Sequence, residues 1–310
     1  MRHNQMQWDA QTAIGFVLAQ GTYIEQQVNE TVYPDIQYQD LVPVDMSAPE
    51  FTKTVTYYSS DIFGRADWIN GNSDDIPMAG TQRNVLQTAV HTAGIGYGYG
   101  WEEIGYARQM GVNLPADDAA TARRAYEEMV DRVALQGDQA KGFNGLIDNP
   151  NVAATAATTG GWGTATPANI LKDFNQALTL VSTATNRTSY ANTVLLPYSA
   201  MEILASTILP DSGAQTLMQW LRANNVVTAT TGQPILVRSV RGLETAGVGD
   251  TRRMVAYRRD PTVLKMHIPM PHRFLQPFSP APLRVEVPGV FRLGGLDIRR
   301  TAEVKYVDGI

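Results

Sequence analysis

Two strand-like runs, residues 50–63 (EFTKTVTYYSSDIF) and 81–93 (TQRNVLQTAVHTA), restrict what this chain can fold into more than any other feature. Both are rich in β-forming residues at period-two spacing. The stretch between them, GRADWINGNSDDIPMAG, is polar and turn-rich, so the whole predicts a long β-hairpin with a broad tip. Yet both faces carry polar side chains: Thr52, Thr54 and Thr56 on one, Lys53 and Ser59 on the other. A two-stranded ribbon with so little apolar surface is marginal by itself in water and packs poorly into a core. It is expected to project and find partners elsewhere. The tip segment Arg65-Ala66-Asp67-Trp68 puts a cation, an anion and an indole on an exposed turn, a mixture typical of contact hot spots.

The rest of the chain divides around this ribbon. Residues 1–30 read as a helix capped by Asp9, with Ile14, Val17, Leu18, Ile24 and Val28 near helical spacing. Pro34, Pro43 and Pro49 then make residues 33–49 an extended arm without room for a helix, expected to lie on its own body or on a neighbour. After the hairpin, Gly94, Gly96, Gly98 and Gly100 alternate. In an extended chain all four share one face, which something must approach closely. A short helix over 101–110 is expected to close at Gly111. The strongest helical pattern covers 115–140. Pro115, Asp117 and Asp118 suit its start, and Ala119, Ala122, Tyr126, Met129, Val130 and Val133 form one apolar stripe. Arg123, Arg124, Glu127, Glu128, Asp131 and Arg132 occupy the other side, with Arg–Glu pairs four residues apart. At about 1.5 Å per residue such a helix runs roughly 35–40 Å. A compact loop at 141–150 and a small, polar and mobile stretch at 151–166 are expected next. An α/β unit follows, with helices at 167–185, 198–206 and 214–224 and strands at 192–196, 234–237 and 253–257. From Val263 onward the pattern is β, rich in proline, and closes on a strand over 295–306.

Composition narrows the chemistry. With 44% hydrophobic and 18% charged residues in 310, the chain is globular, and no apolar run is long enough to span a membrane. The polar start predicts no signal peptide. There is no cysteine, which excludes disulfides, thiolate metal sites and thiol catalysis. From Arg238 onward 13 basic and 7 acidic residues occur, against 12 and 23 before it. Opposite-signed halves suit domains or subunits that attract one another. His3, His91, His267 and His272 lack metal-ligand spacing, and no phosphate loop or nucleophile elbow is present. Among paired carboxylates, Glu102-Glu103 opens a helix, where dipole complementation explains it more simply than acid–base work. No catalytic, cofactor or metal residue is expected.

The order of elements is itself informative: arm, long polar hairpin, glycine passage Tyr97 to Gly111, long helix with Ala122-Arg123-Arg124-Ala125, the loop Gly142-Phe143-Asn144-Gly145-Leu146-Ile147-Asp148-Asn149-Pro150, an α/β insertion and a proline-rich β return. This order resembles the major capsid proteins of tailed bacteriophages, of the α+β HK97-type fold, nearest the subgroup akin to encapsulins. The resemblance implies an N-terminal arm over 1–48 and an E-loop over 49–93. It implies a peripheral domain over 94–152 and 258–310 with 115–140 as its spine helix, and an axial domain over 153–257. It further implies pentamers and hexamers in an icosahedral shell that encloses double-stranded DNA without reading its sequence. Assembly would occur in the host cytoplasm, with scaffolding, portal or decoration proteins as further partners and no membrane. Candidate subunit contacts are Lys53, Arg65, Asp67 and Trp68 on the hairpin and Arg123, Arg124, Glu127 and Glu128 on the helix. The alternatives are an encapsulin-type compartment, a minor virion component, or an enzyme built on Glu102 and Glu103.

Overall fold

Five consecutive residues, Arg253–Tyr257, are all buried, which requires a strand covered on both faces. In the computed structural model, which describes residues 35–68, 76–110, 114–210 and 213–310, this strand is the middle of a five-stranded mixed sheet. The order is Leu236–Ser239, Thr193–Leu196, Arg253–Tyr257, Val304–Asp308, Ala154–Ala156. The two outer pairs are parallel and the two inner pairs antiparallel. Strand alternation then sorts side chains into two cores. Leu195, Val255, Tyr257, Val304 and Tyr306 pack with Tyr126, Val130 and Val133 of the long helix. Val194, Leu196, Met254, Ala256 and Val307 face Ile170, Phe174, Leu178 and Val181 of the helix Pro167–Ala184. One sheet therefore serves two hydrophobic cores.

The long helix runs Leu114–Leu135, about 33 Å at 1.5 Å per residue, and stops short of the expected residue 140. Gly137 turns the chain at φ 81°, and the following loop comes back under the helix end. There the N–H groups of Leu146 and Ile147 donate to the carbonyls of Ala134 and Leu135, each at 3.0 Å. Those carbonyls would otherwise lack partners. Asp131, assigned above to the solvated side, is instead buried. Its Oδ1 accepts from the backbone N–H groups of Gln37 and Tyr38 at 2.8 and 2.9 Å.

That contact explains a further departure. The arm contains a one-turn helix, Tyr38–Leu41, where only extended chain was expected, because a carboxylate from another element satisfies its first N–H groups. Tyr38, Leu41 and Val42 are buried, the Tyr257 hydroxyl donates to the Leu41 carbonyl at 2.8 Å, and Val44–Asp45 pairs in parallel with Leu264–His267. Residues 36–45 thus dock on their own body rather than waiting for a neighbour. The helix expected over 1–30, the arm up to residue 34, tip residues 69–75 and Gly111 lie outside the described residues.

The second hairpin strand ends at Ala89, and His91–Gly94 enters a separate sheet with Gly289–Leu293 and Met270–Phe274. The visitor to the glycine face is the proline-rich return. A Cβ at Gly94 would lie 2.7 Å from the Gly289 carbonyl, one at Gly96 would overlap the Val287 carbonyl, and only Gly100 has room to spare. The run expected as one strand over 295–306 is broken into Leu296–Ile298, a 3-10 turn and Val304–Asp308, and a helix unforeseen in the sequence, Val226–Thr231, follows Leu217–Ala223.

The 151–166 stretch is anchored, not mobile. Ala154–Ala156 completes the central sheet, and buried Asp173 gathers the Thr158 N–H (3.1 Å), the Thr159 hydroxyl and the Trp162 indole N–H (3.3 Å). Trp162 itself is fully buried. Asp173→Ala strands these donors, so a loss of about 2–3 kcal/mol is expected in urea denaturation, with new protease cleavage within 157–163. Unchanged stability would show that the indole's packing alone holds the segment.

Candidate assembly surfaces

Thr54–Phe63 and Gly80–Ala89 pair antiparallel in unbroken register, from Thr54 opposite Ala89 to Phe63 opposite Gly80. Period-two β-formers build the ladder, but Tyr58, Val85 and Leu86 remain exposed on it. At the tip Arg65, Asp67 and Trp68 are all exposed, and Trp68 is 99% so; its backbone N–H donates to its neighbour Asp67 at 2.8 Å. Fully burying an aromatic of this size stabilises by about 2–3 kcal/mol, none of which this indole gains from the described residues of its own subunit. The hairpin is fastened at its base. Val90 N–H donates to the Lys53 carbonyl at 2.9 Å, and the Arg299 guanidinium lies over the Tyr57 ring at 4.3 Å. Burial, and then the nearby Asp297 carboxylate, push the Tyr57 hydroxyl up to about 12. Lys53 stands exposed beside this base.

The helix residues lie on a separate element. Arg124 and Glu128 form the expected pair four apart, at 3.2 Å. Glu127 is occupied internally: its carboxylate accepts from the Tyr38 hydroxyl at 2.7 Å, and burial first, opposed by Gln39 and reinforced by Glu127, raises that hydroxyl well above the usual tyrosine range. Arg123 is exposed and lines, with Tyr38, Val42, Met46 and Arg259, a groove between helix and arm. The hairpin candidates thus face outward together, whereas the helix candidates divide between surface and arm docking.

A third surface escaped the sequence reading. Trp101 and Tyr106 of the helix Trp101–Met110 are exposed, and the Trp101 N–H donates to the carbonyl of exposed Leu283 at 2.9 Å. Leu283 sits 182 residues downstream, in a proline-rich run whose fold partner no local pattern reveals. At the start of the same helix Glu103 accepts from the Gly100 N–H at 3.0 Å, a capping role. Among the described residues no three His, Asp or Glu side chains cluster as metal ligands, and no helix is long and apolar enough to cross a membrane.

A family model described as Major capsid protein matches residues 64–310, most of the chain. The chain belongs to that family. This capsid protein also matches solved capsid structures over nearly its whole length. Against the capsid of Myoviridae Phage XM1 the TM-score is 0.80 at 15% identity, covering 93% of this chain and 97% of that one. Against Mycobacterium phage Ogopogo it is 0.62 at 12% identity, covering 94% and 98%. Against the capsid of an empty GTA particle computed with C5 symmetry it is 0.60 at 12% identity, covering 96% and 97%. At such identities the likeness establishes the fold: the capsid protein has the α+β, HK97-type architecture. No curated protein matches it.

Proposed function

We propose that this capsid protein is the principal tile of a tailed-phage head, closing as pentamers and hexamers into an icosahedral shell around double-stranded DNA. The observation that carries this reading is the ten-pair ribbon with Trp68 solvated at its tip and Tyr58, Val85 and Leu86 exposed along it. Such a ribbon gains its stabilisation when a neighbouring copy covers it, and one tile reusing the same contacts around symmetry axes closes a shell. Lys53, Arg65, Asp67 and Trp68 are the hairpin contacts. Arg123, Arg124 and Glu128 contribute from the helix, and Glu127 acts through the arm. The arm takes residues 1–48, the E-loop 49–93, the peripheral domain 94–152 and 258–310, and the axial domain 153–257, with Val304–Asp308 shared as a strand of the central sheet. The subunit performs no catalysis, encloses DNA without sequence readout, and assembles in the host cytoplasm with scaffolding, portal or decoration partners.

Expression followed by negative-stain electron microscopy tests this. Closed shells are expected from the full chain, and folded, unassembled subunits when residues 56–87 are replaced by a two-residue turn. Shells formed by the shortened chain would remove the hairpin from the mechanism. Shells filled with protein rather than DNA during infection would favour a compartment over a phage head.

A further inference from the structure

His267 is almost fully buried in the middle strand, Leu264–His267, of a three-stranded sheet. Its Nδ1 lies 3.8 Å from Asp45 of the arm strand on one side, and its Nε2 lies 3.6 Å from Asp297 of Leu296–Ile298 on the other. Nε2 has no partner within ordinary hydrogen-bond distance, Asp297 standing just beyond it. A buried polar nitrogen left unpaired is costly and calls for an explanation. Each carboxylate already has a cation: Lys265 holds Asp45 at 2.6 Å and Arg299 holds Asp297 at 3.0 Å. Asp297 and Arg299 also meet the base of the hairpin, since Arg299 covers the Tyr57 ring and Asp297 acts on its hydroxyl. The charged and titratable groups facing the ring are therefore Asp45 and Lys265, Asp297 and Arg299, and beyond Asp297 the Tyr57 hydroxyl. The Gly294 backbone lies against the base of this side chain, where an added Cβ would come within 2.9 Å of the His267 Cβ.

We propose that His267 is a proton-operated latch between the arm and the hairpin. A neutral imidazole carries one N–H and can serve only one of the two carboxylates, whereas the protonated ring carries two. Proton uptake gives both flanking carboxylates a donor and draws Asp297 towards the ring. The arm strand is then tied more firmly to the sheet, and Asp297 loosens its hold on Tyr57 at the hairpin base. Acid thus tightens the docked arm and frees the base of the projecting hairpin. The inference does not rest on the shell reading, because the latch operates within one subunit.

Amide hydrogen exchange on the purified full chain, corrected for intrinsic rates, tests it between about pH 8 and about pH 5.5. On acidification, protection at Asp45 and Met266 should rise and protection at Thr54–Tyr58 and Val85–Ala89 should fall, each by about threefold to tenfold, the net scale of a single hydrogen bond. His267→Gln should abolish both responses. Tyr57→Phe, a milder change that folds even where His267→Gln does not, should abolish the hairpin response and keep that of the arm. Protection insensitive to pH in the parent chain, or an unaltered response in either variant, overturns the latch.

Discussion

Arg253→Ala is expected to remove about 3–5 kcal/mol of stability, the scale of breaking a buried ion pair from one side. The Arg253 guanidinium donates from Nε and Nη2 to both Asp308 oxygens at 2.7 and 2.9 Å and from Nη1 to the Ile147 carbonyl at 2.9 Å. It also lies 4.5 Å from the Tyr306 ring centre and 3.6 Å from Asp148. Burial works against its charge, and Asp308 above all outweighs that and raises its pKa. Alanine would leave the buried Asp308 carboxylate with the Val248 N–H at 3.1 Å as its remaining hydrogen bond. The double variant Arg253→Met with Asp308→Leu should recover most of the loss, because no charge is then stranded. Urea denaturation of the unassembled subunit distinguishes the two. Equal losses in single and double variants would assign the effect to packing rather than charge.

Gly145→Ala should be comparably damaging. An added Cβ there would overlap the Leu135 carbonyl oxygen and the Gln136 carbonyl carbon and lie 2.6 Å from the Gly137 nitrogen, all backbone atoms that cannot turn aside. The loop would have to leave the helix end, losing the two bonds from Leu146 and Ile147. We expect about 3 kcal/mol or more, at the upper end of overpacking costs. Gly142→Ala, three residues away, provides the contrast. Its φ of 72° disfavours a side chain, but nothing lies within 4 Å. About 1 kcal/mol is expected there. Similar thermal-melt shifts for the two would show that backbone conformation rather than crowding decides this loop.

The hairpin, the amphipathic face of the long helix and the α/β insertion were legible because each is written locally, in period-two or helical spacing. The resemblance in element order pointed to the right fold for the same reason: order survives when identity does not. What escaped is written in partners distant along the chain. Asp131 looks solvated beside Arg132 until Gln37 and Tyr38 bring their N–H groups to it. The small residues after Asn151 look mobile until Asp173 collects them. His267 looks isolated until Asp45 and Asp297 arrive from either side. Trp68 reads as exposed from its turn, but only the structure shows that no described residue of its own subunit covers it.

The strand Val304–Asp308 lies between Arg253–Tyr257 and Ala154–Ala156, and it feeds both cores. Neither core can close while those residues are still unsynthesised on the ribosome, and pairing partners some 150 positions apart must be found late, which slows folding. Folding of either core during synthesis therefore waits until residues 304–308 have emerged, a timing that follows from strand order alone and would be lost if the keystone strand were moved to the front by circular permutation.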